Sequence, residues 1–268
     1  MLNKGQTHWQ DYLIEAWGLG MLMVVAGVMT VIVEDPGSLL HQVDPWLRRA
    51  LVGVCVGGTL SALIYSKWGK RSGAHFNPAF TLAFYRLGKL HPRDAAFYCL
   101  SHFCGGLAGI LLVALLLGDR FTEPPIRYIS TLPGDAGSLV AFGVELGMAF
   151  GLMTVVVWVS NSQRFHPWTG LLAGILLATY ISLLVPFSGT SLNPARTFAS
   201  ALPAQAWSGW WIYLMAPTLG MLLASELYLR ITRKPAITLC GKLCPNSETP
   251  CPCLVCCNNG CGSTTPPK

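Results

Sequence analysis

The stretch Ser188-Gly-Thr-Ser-Leu-Asn-Pro-Ala-Arg-Thr-Phe-Ala-Ser200 decides the fold, because Ser72-Gly-Ala-His-Phe-Asn-Pro-Ala-Phe-Thr81 carries the same pattern. Both copies read Ser-Gly, three variable positions, then Asn-Pro-Ala, and the two asparagines stand 116 residues apart (193 − 77). One Asn-Pro-Ala triplet says little. Two copies with matching flanks in a hydrophobic chain mark a duplicated element.

Each copy has the chemistry of a helix start. Asn is a favoured N-cap, Pro suits the first helical position, and helix formers follow. The reading is a helix over Pro78–Leu87 closed by Gly88, and a second over Pro194–Leu202 closed by Pro203. At 1.5 Å per residue either one spans about half of a ~30 Å hydrocarbon core. Broken backbone at that depth is tolerated only where protein buries it or a water-filled cavity receives it, so a pair of half-spanning helices implies a pathway between them.

The rest of the chain agrees. Hydrophobic residues make up 52% and charged residues 11%, with mean hydropathy +0.49, which places the protein in the membrane. Six apolar runs of crossing length are predicted at 11–33, 47–66, 95–118, 138–160, 168–186 and 210–231. The first is too long for a signal core and carries Glu15, so it is kept as a mature span. The fold class expected is an all-α membrane protein with six transmembrane helices plus two half-spanning re-entrant helices. Three spans per repeat force the second repeat to enter from the opposite side, which makes an inverted pair. The divisions read from the sequence are 1–10 as the N-terminus, 11–233 as the channel unit (repeats at about 11–118 and 138–231), and 234–268 as a Cys-rich tail without a packed core. With both termini cytoplasmic, 13 of the 18 Lys and Arg fall on the inner side, in accord with the positive-inside rule. The net charge of +6 is thus a topology signal and not a nucleic-acid footprint. Glycines spaced for close helix crossings, Gly57 and Gly58, Gly105 and Gly109, Gly147 and Gly151, Gly170 and Gly174, support tight packing.

The double Asn-Pro-Ala, the six spans around it, Arg196 after the second triplet, and Glu15 and Glu145 in the first and fourth spans together resemble the aquaporin (major intrinsic protein) family over about residues 10–233. The resemblance implies a passive pore, a homotetramer with one pore per protomer, and a place in the plasma membrane. It assigns Asn77, Pro78, Ala79, Asn193, Pro194 and Ala195 to the pore centre, where amide N–H groups meet passing water and the facing helix N-termini disfavour cations and protons. It assigns Arg196 to a selectivity filter, and a gapless count back from the asparagines adds Gly57, Ile181 and Thr190. Narrow water-selective members carry an aromatic ring and a His where this count gives Gly and Ile. A wide, partly apolar filter follows, open to glycerol, urea or metalloid hydroxides, like the nodulin-26-like or bacterial solute-permeable branches. Thr197 departs from the Asp of glycerol facilitators.

Glu15 and Glu145 are then loop supports, the alternative being a proton relay in a coupled carrier. His102 is a core polar residue beside that network, and His75 stands near the pore mouth. Seven cysteines fall between Cys240 and Cys261. Cys251, Cys253, Cys256 and Cys257 have spacing that suits a soft metal or a thiophilic metalloid, with a lipid-modified or unstructured tail as the alternative. A metal-resistance protein working through this tail is the second rival. No nucleophile–base constellation, phosphate loop or cofactor motif is present in the spans, so no enzyme and no cofactor are expected. Partners are water, small neutral solutes and lipid.

Overall fold

The computed structural model describes residues 8–162, 164–232 and 241–244. Ten α-helices appear in chain order among them: α1 Trp9–Glu34, α2 Pro45–Tyr65, α3 Lys67–Ser72, α4 Pro78–Arg86, α5 Pro92–Leu117, α6 Asp119–Thr122, α7 Ser138–Ser160, α8 Thr169–Ser188, α9 Pro194–Ala204 and α10 Trp210–Thr232. Six of them are long and apolar enough to cross a membrane: α1, α2, α5, α7, α8 and α10. α4 and α9 are the two half-spanning helices.

Local chemistry sets several of the starts. Asp44 accepts from the Trp46 N–H ahead of Pro45, and His91 Nδ1 accepts from the Arg93 N–H ahead of Pro92. A proline at the first helical position costs nothing, because its missing N–H would have had no partner in the helix. The duplicated Ser-Gly has a matching role at the other end of a helix. Ser72 and Ser188 are the last residues of α3 and α8, and Gly73 (φ +103) and Gly189 (φ +74) turn the chain left-handed after them.

Packing shows the inverted repeat. In each half the first span lies on the third, α1 on α5 and α7 on α10, while the second spans of the two halves, α2 and α8, lie on each other. Both half-helices rest between α5 and α10. The α2–α8 crossing is close because a Cβ on Gly57 would stand 2.2 Å from the Gly174 carbonyl oxygen, and one on Gly174 2.4 Å from that of Gly57. Gly105 meets the backbone of Ala16 in the same way. Gly58 and Gly147 differ from the sequence reading: a Cβ there would meet nothing within 4 Å.

The half-helix boundaries also need one correction. α9 does not stop before Pro203 but runs through it to Ala204, and Gln205 (φ +50) ends it. A proline near the end of a short helix forfeits a single backbone bond. The left-handed residue after it then stops the helix.

The two faces of the bundle are tied by separate polar contacts. On one face Arg71 reaches Asp11 (2.9 Å), the Tyr12 hydroxyl donates to Asp94 (2.6 Å) and Arg86 reaches Glu226 (2.7 Å). On the other, Arg48 pairs with Glu34 (2.5 Å) and Arg120 with Asp35 (3.1 Å). The first is the Lys67 face and the second the Arg49 face.

Candidate functional site

Asn77 and Asn193 meet in the interior. Each is the N-cap of its half-helix: Asn77 Oδ1 accepts from the Ala79 N–H (2.8 Å), and Asn193 Oδ1 accepts from the N–H groups of Ala195 (3.0 Å) and Arg196 (3.3 Å). Each amide nitrogen then reaches across the pseudo-two-fold axis. Asn77 Nδ2 donates to the Leu192 carbonyl (2.8 Å) and Asn193 Nδ2 to the Phe76 carbonyl (2.9 Å). An amide nitrogen has two hydrogens, so the reciprocal bonds use one from each side chain and leave one from each for the cavity. The sequence points to amide N–H groups that meet passing water, and the structure gives one from each asparagine to the opposite loop. These two reciprocal bonds lock the triplets together.

The loops ahead of the asparagines are strained and braced. Ala74, Phe76, Thr190 and Leu192 all have positive φ, between 47° and 58°. A left-handed non-glycine residue costs about 1–3 kcal/mol and persists only when its surroundings hold it. Glu15 supplies the hold in the first loop, accepting from Ser72 Oγ (2.6 Å), the His75 N–H (3.2 Å) and the Phe76 N–H (2.6 Å). Glu145 does the same in the second, accepting from Ser188 Oγ (2.9 Å), the Ser191 N–H (2.8 Å) and the Leu192 N–H (2.7 Å). Both carboxylates are fully buried.

A second pair of braces escaped the sequence reading. The Tyr98 hydroxyl donates to the Ser72 carbonyl (2.7 Å) and the Tyr213 hydroxyl to the Ser188 carbonyl (2.8 Å). The available signal was a tyrosine near the start of the third span of each repeat. His102 breaks the symmetry: its Nε2 stands 2.8 Å from Glu15 Oε2. Four residues after Tyr213 the matching place is Pro217, which has no side-chain polar atom.

A cavity of about 430 Å³ opens between these elements. Thr30, Glu34 and Arg49 line it toward the Arg49 face; Val56, Ile181, Thr190 and Arg196 line it deeper; His75, Asn77 and Asn193 line its far end. Arg196 Nη1 is buried with no hydrogen-bond partner among the described residues, so a donor of this guanidinium is left for whatever enters. Ile181, Thr190 and Arg196 thus share one cavity.

Gly57 does not line that cavity. Its face is turned into the α2–α8 crossing, and the neighbouring Val56 takes the position on the cavity wall. The gapless count from Asn77 fails because α2 stops at Tyr65 and a separate helical turn, α3, lies between it and the asparagine. Helical register does not carry across such a break. Cys251, Cys253, Cys256 and Cys257 lie outside the described residues.

A bundle of six crossing helices, with two half-helices meeting at the wall of an internal cavity, is a membrane channel. Comparison with known proteins gives the family. Residues 3–228 match the model of the major intrinsic protein family. The chain is 32% identical to aquaporin NIP1-2 of Arabidopsis thaliana over 84% of its own length and 76% of that protein's. It is 34% identical to aquaporin NIP1-1 of the same plant, over 80% of this chain and 71% of the relative. The X-ray structure of the aquaglyceroporin from Plasmodium falciparum shares the fold, with a TM-score of 0.70 and 20% identity, covering 84% of this chain and 97% of that one. The chain belongs to the major intrinsic protein family.

Proposed function

We propose that the chain is a passive pore for water and for small uncharged solutes as large as glycerol, urea or a metalloid hydroxide, with Val56, Ile181, Thr190 and Arg196 as its filter. The observation that carries this reading is the composition of the cavity wall around Arg196: two aliphatic side chains and a threonine, with no aromatic ring and no imidazole from these positions. A neutral solute with several hydroxyls can lay its carbon face on Val56 and Ile181 and accept from the unpartnered Arg196 donor. Ions are opposed by Arg196 and by two half-helix N-termini facing each other at the asparagines, an exclusion principle general to such pores. The pore does no chemistry on what it carries. A homotetramer in the plasma membrane, with both termini in the cytoplasm, completes the reading.

Stopped-flow light scattering of proteoliposomes tests it, with water, glycerol, urea and arsenous acid measured side by side. Glycerol entry at a rate well above that of empty vesicles is expected. Ile181→His should lower glycerol permeability about tenfold, equivalent to about 1.4 kcal/mol of added barrier, while water still crosses. Water conduction alone in the unaltered protein would overturn the wide filter. Coupled transport has a poorer footing, because the two interior carboxylates are occupied by hydrogen bonds to the loops.

A further inference from the structure

The two loops of an inverted repeat face opposite ends of one pore, and here they are not equally open. In the second repeat Gly189, Thr190 and Ser191 all line the cavity. The matching residues of the first repeat are Gly73, Ala74 and His75, and of these His75 alone lines it.

What covers the first loop is the chain's own segment 241–244. The Gly241 carbonyl oxygen is 3.3 Å from His75 Nε2, and the Leu243 N–H donates to the Gly73 carbonyl at 3.1 Å. The fit is tight enough that a Cβ on Gly73 would stand 3.1 Å from the Gly241 oxygen. Lys242 is fully buried, Leu243 is 2% exposed, and Leu243 and Cys244 join the apolar cluster that contains Phe76, Phe80 and Phe84. The His75 ring is held for this contact from two sides, by stacking on Phe84 and by Thr81 Oγ1, 3.1 Å from Nδ1.

We propose that residues 241–244 form a plug that closes the pore at the Lys67 face, and that the channel conducts when this segment leaves the Gly73–His75 loop. The contact uses the main-chain oxygen of Gly73 and the imidazole of His75, polar groups that a solute leaving the asparagines would otherwise meet next. The attachment includes one main-chain bond, one imidazole contact and the apolar packing of Leu243 and Cys244, and a short segment of this kind can open locally while the rest of the fold stays intact. The plug rests on the reading of the cavity as a conducting pore.

The test compares proteoliposomes holding the full chain, a truncation after Lys234, Leu243→Asp and Leu243→Met, each normalised to channel number. If the docked state holds about nine-tenths of the population, truncation raises permeability about tenfold. Leu243→Asp should match the truncation, since a carboxylate cannot stay in the apolar cluster, and Leu243→Met should match the full chain. Equal permeability in all four overturns the plug. The comparison is made with water as well as glycerol, so a pore that passes water alone would defeat the wide filter and still judge the plug. A second measurement needs no transport: labelling of Cys244 by a membrane-impermeant maleimide, resolved by peptide mass mapping. Slow labelling in the full chain and fast labelling in Leu243→Asp are expected. Equal rates in the two overturn the docking itself.

Discussion

Glu145 shows how a single side chain holds the pore's shape. Its two carboxylate oxygens accept from one hydroxyl and two backbone N–H groups, and Leu192, one of those donors, is itself left-handed. Glu145→Ala would orphan both N–H groups in a fully buried place, at about 1–3 kcal/mol for each. The expected outcome is a clear fall in the unfolding temperature in detergent, larger than for Glu145→Gln, which keeps one acceptor oxygen. The same geometry bears on mechanism. A carboxylate engaged with the loop has no access to a proton pathway, so glycerol uptake should be unchanged when a pH gradient is imposed across the vesicle. Uptake that tracks the gradient would restore the coupled carrier. Glu15 and Glu145 were visible in the sequence because an acid in an apolar span demands a partner. Tyr98 and Tyr213 were not, because a tyrosine in a span is ordinary and nothing in the sequence links its hydroxyl to the carbonyl of Ser72 or Ser188.

At the scale of elements, the spans and half-helices were legible because length, hydropathy and the Asn-Pro start are all local signals. What failed was register across breaks. α2 ends at Tyr65 and α3 intervenes, so the residue on the cavity wall is Val56 and Gly57 is one position round the helix, in the α2–α8 crossing. The extension of α9 through Pro203 is a similar case, since the stop depends on the backbone at Gln205 and not on the proline. Two predictions separate the wall from the crossing. Gly57→Ala places a methyl 2.2 Å from the Gly174 oxygen, so α2 and α8 must part, an overpacking cost of about 1–3 kcal/mol that lowers thermal stability. Gly58→Ala meets nothing within 4 Å and should leave the unfolding temperature unchanged. Val56→Phe adds a ring at the cavity wall. It should cut glycerol permeability with little loss of stability, which would be the reverse of the Gly57→Ala result.

The whole molecule is two similar halves placed upside down to each other, so its orientation must come from something the halves do not share. Charge supplies it. Lys67, Lys70 and Arg71 on α3, with Arg86, Lys89 and Arg93 around the end of α4 and the start of α5, gather on the face where α1 and α5 begin and α10 ends. The opposite face carries Arg48 and Arg49 near the start of α2, Arg120 in α6 and Arg127 after it. Short loops rich in Lys and Arg stay on the cytoplasmic side during insertion. A reporter that fluoresces only in the cytoplasm, fused after Lys234, should therefore be bright, and one that is active only outside should be silent in the same place. The result also fixes what the contact between residues 241–244 and the Gly73–His75 loop can respond to. With the Lys67 face inside, the mouth that the segment covers opens to the cytosol, and factors that lift it must act from there. A bright external reporter would turn the molecule over, putting that mouth and its plug in contact with the medium.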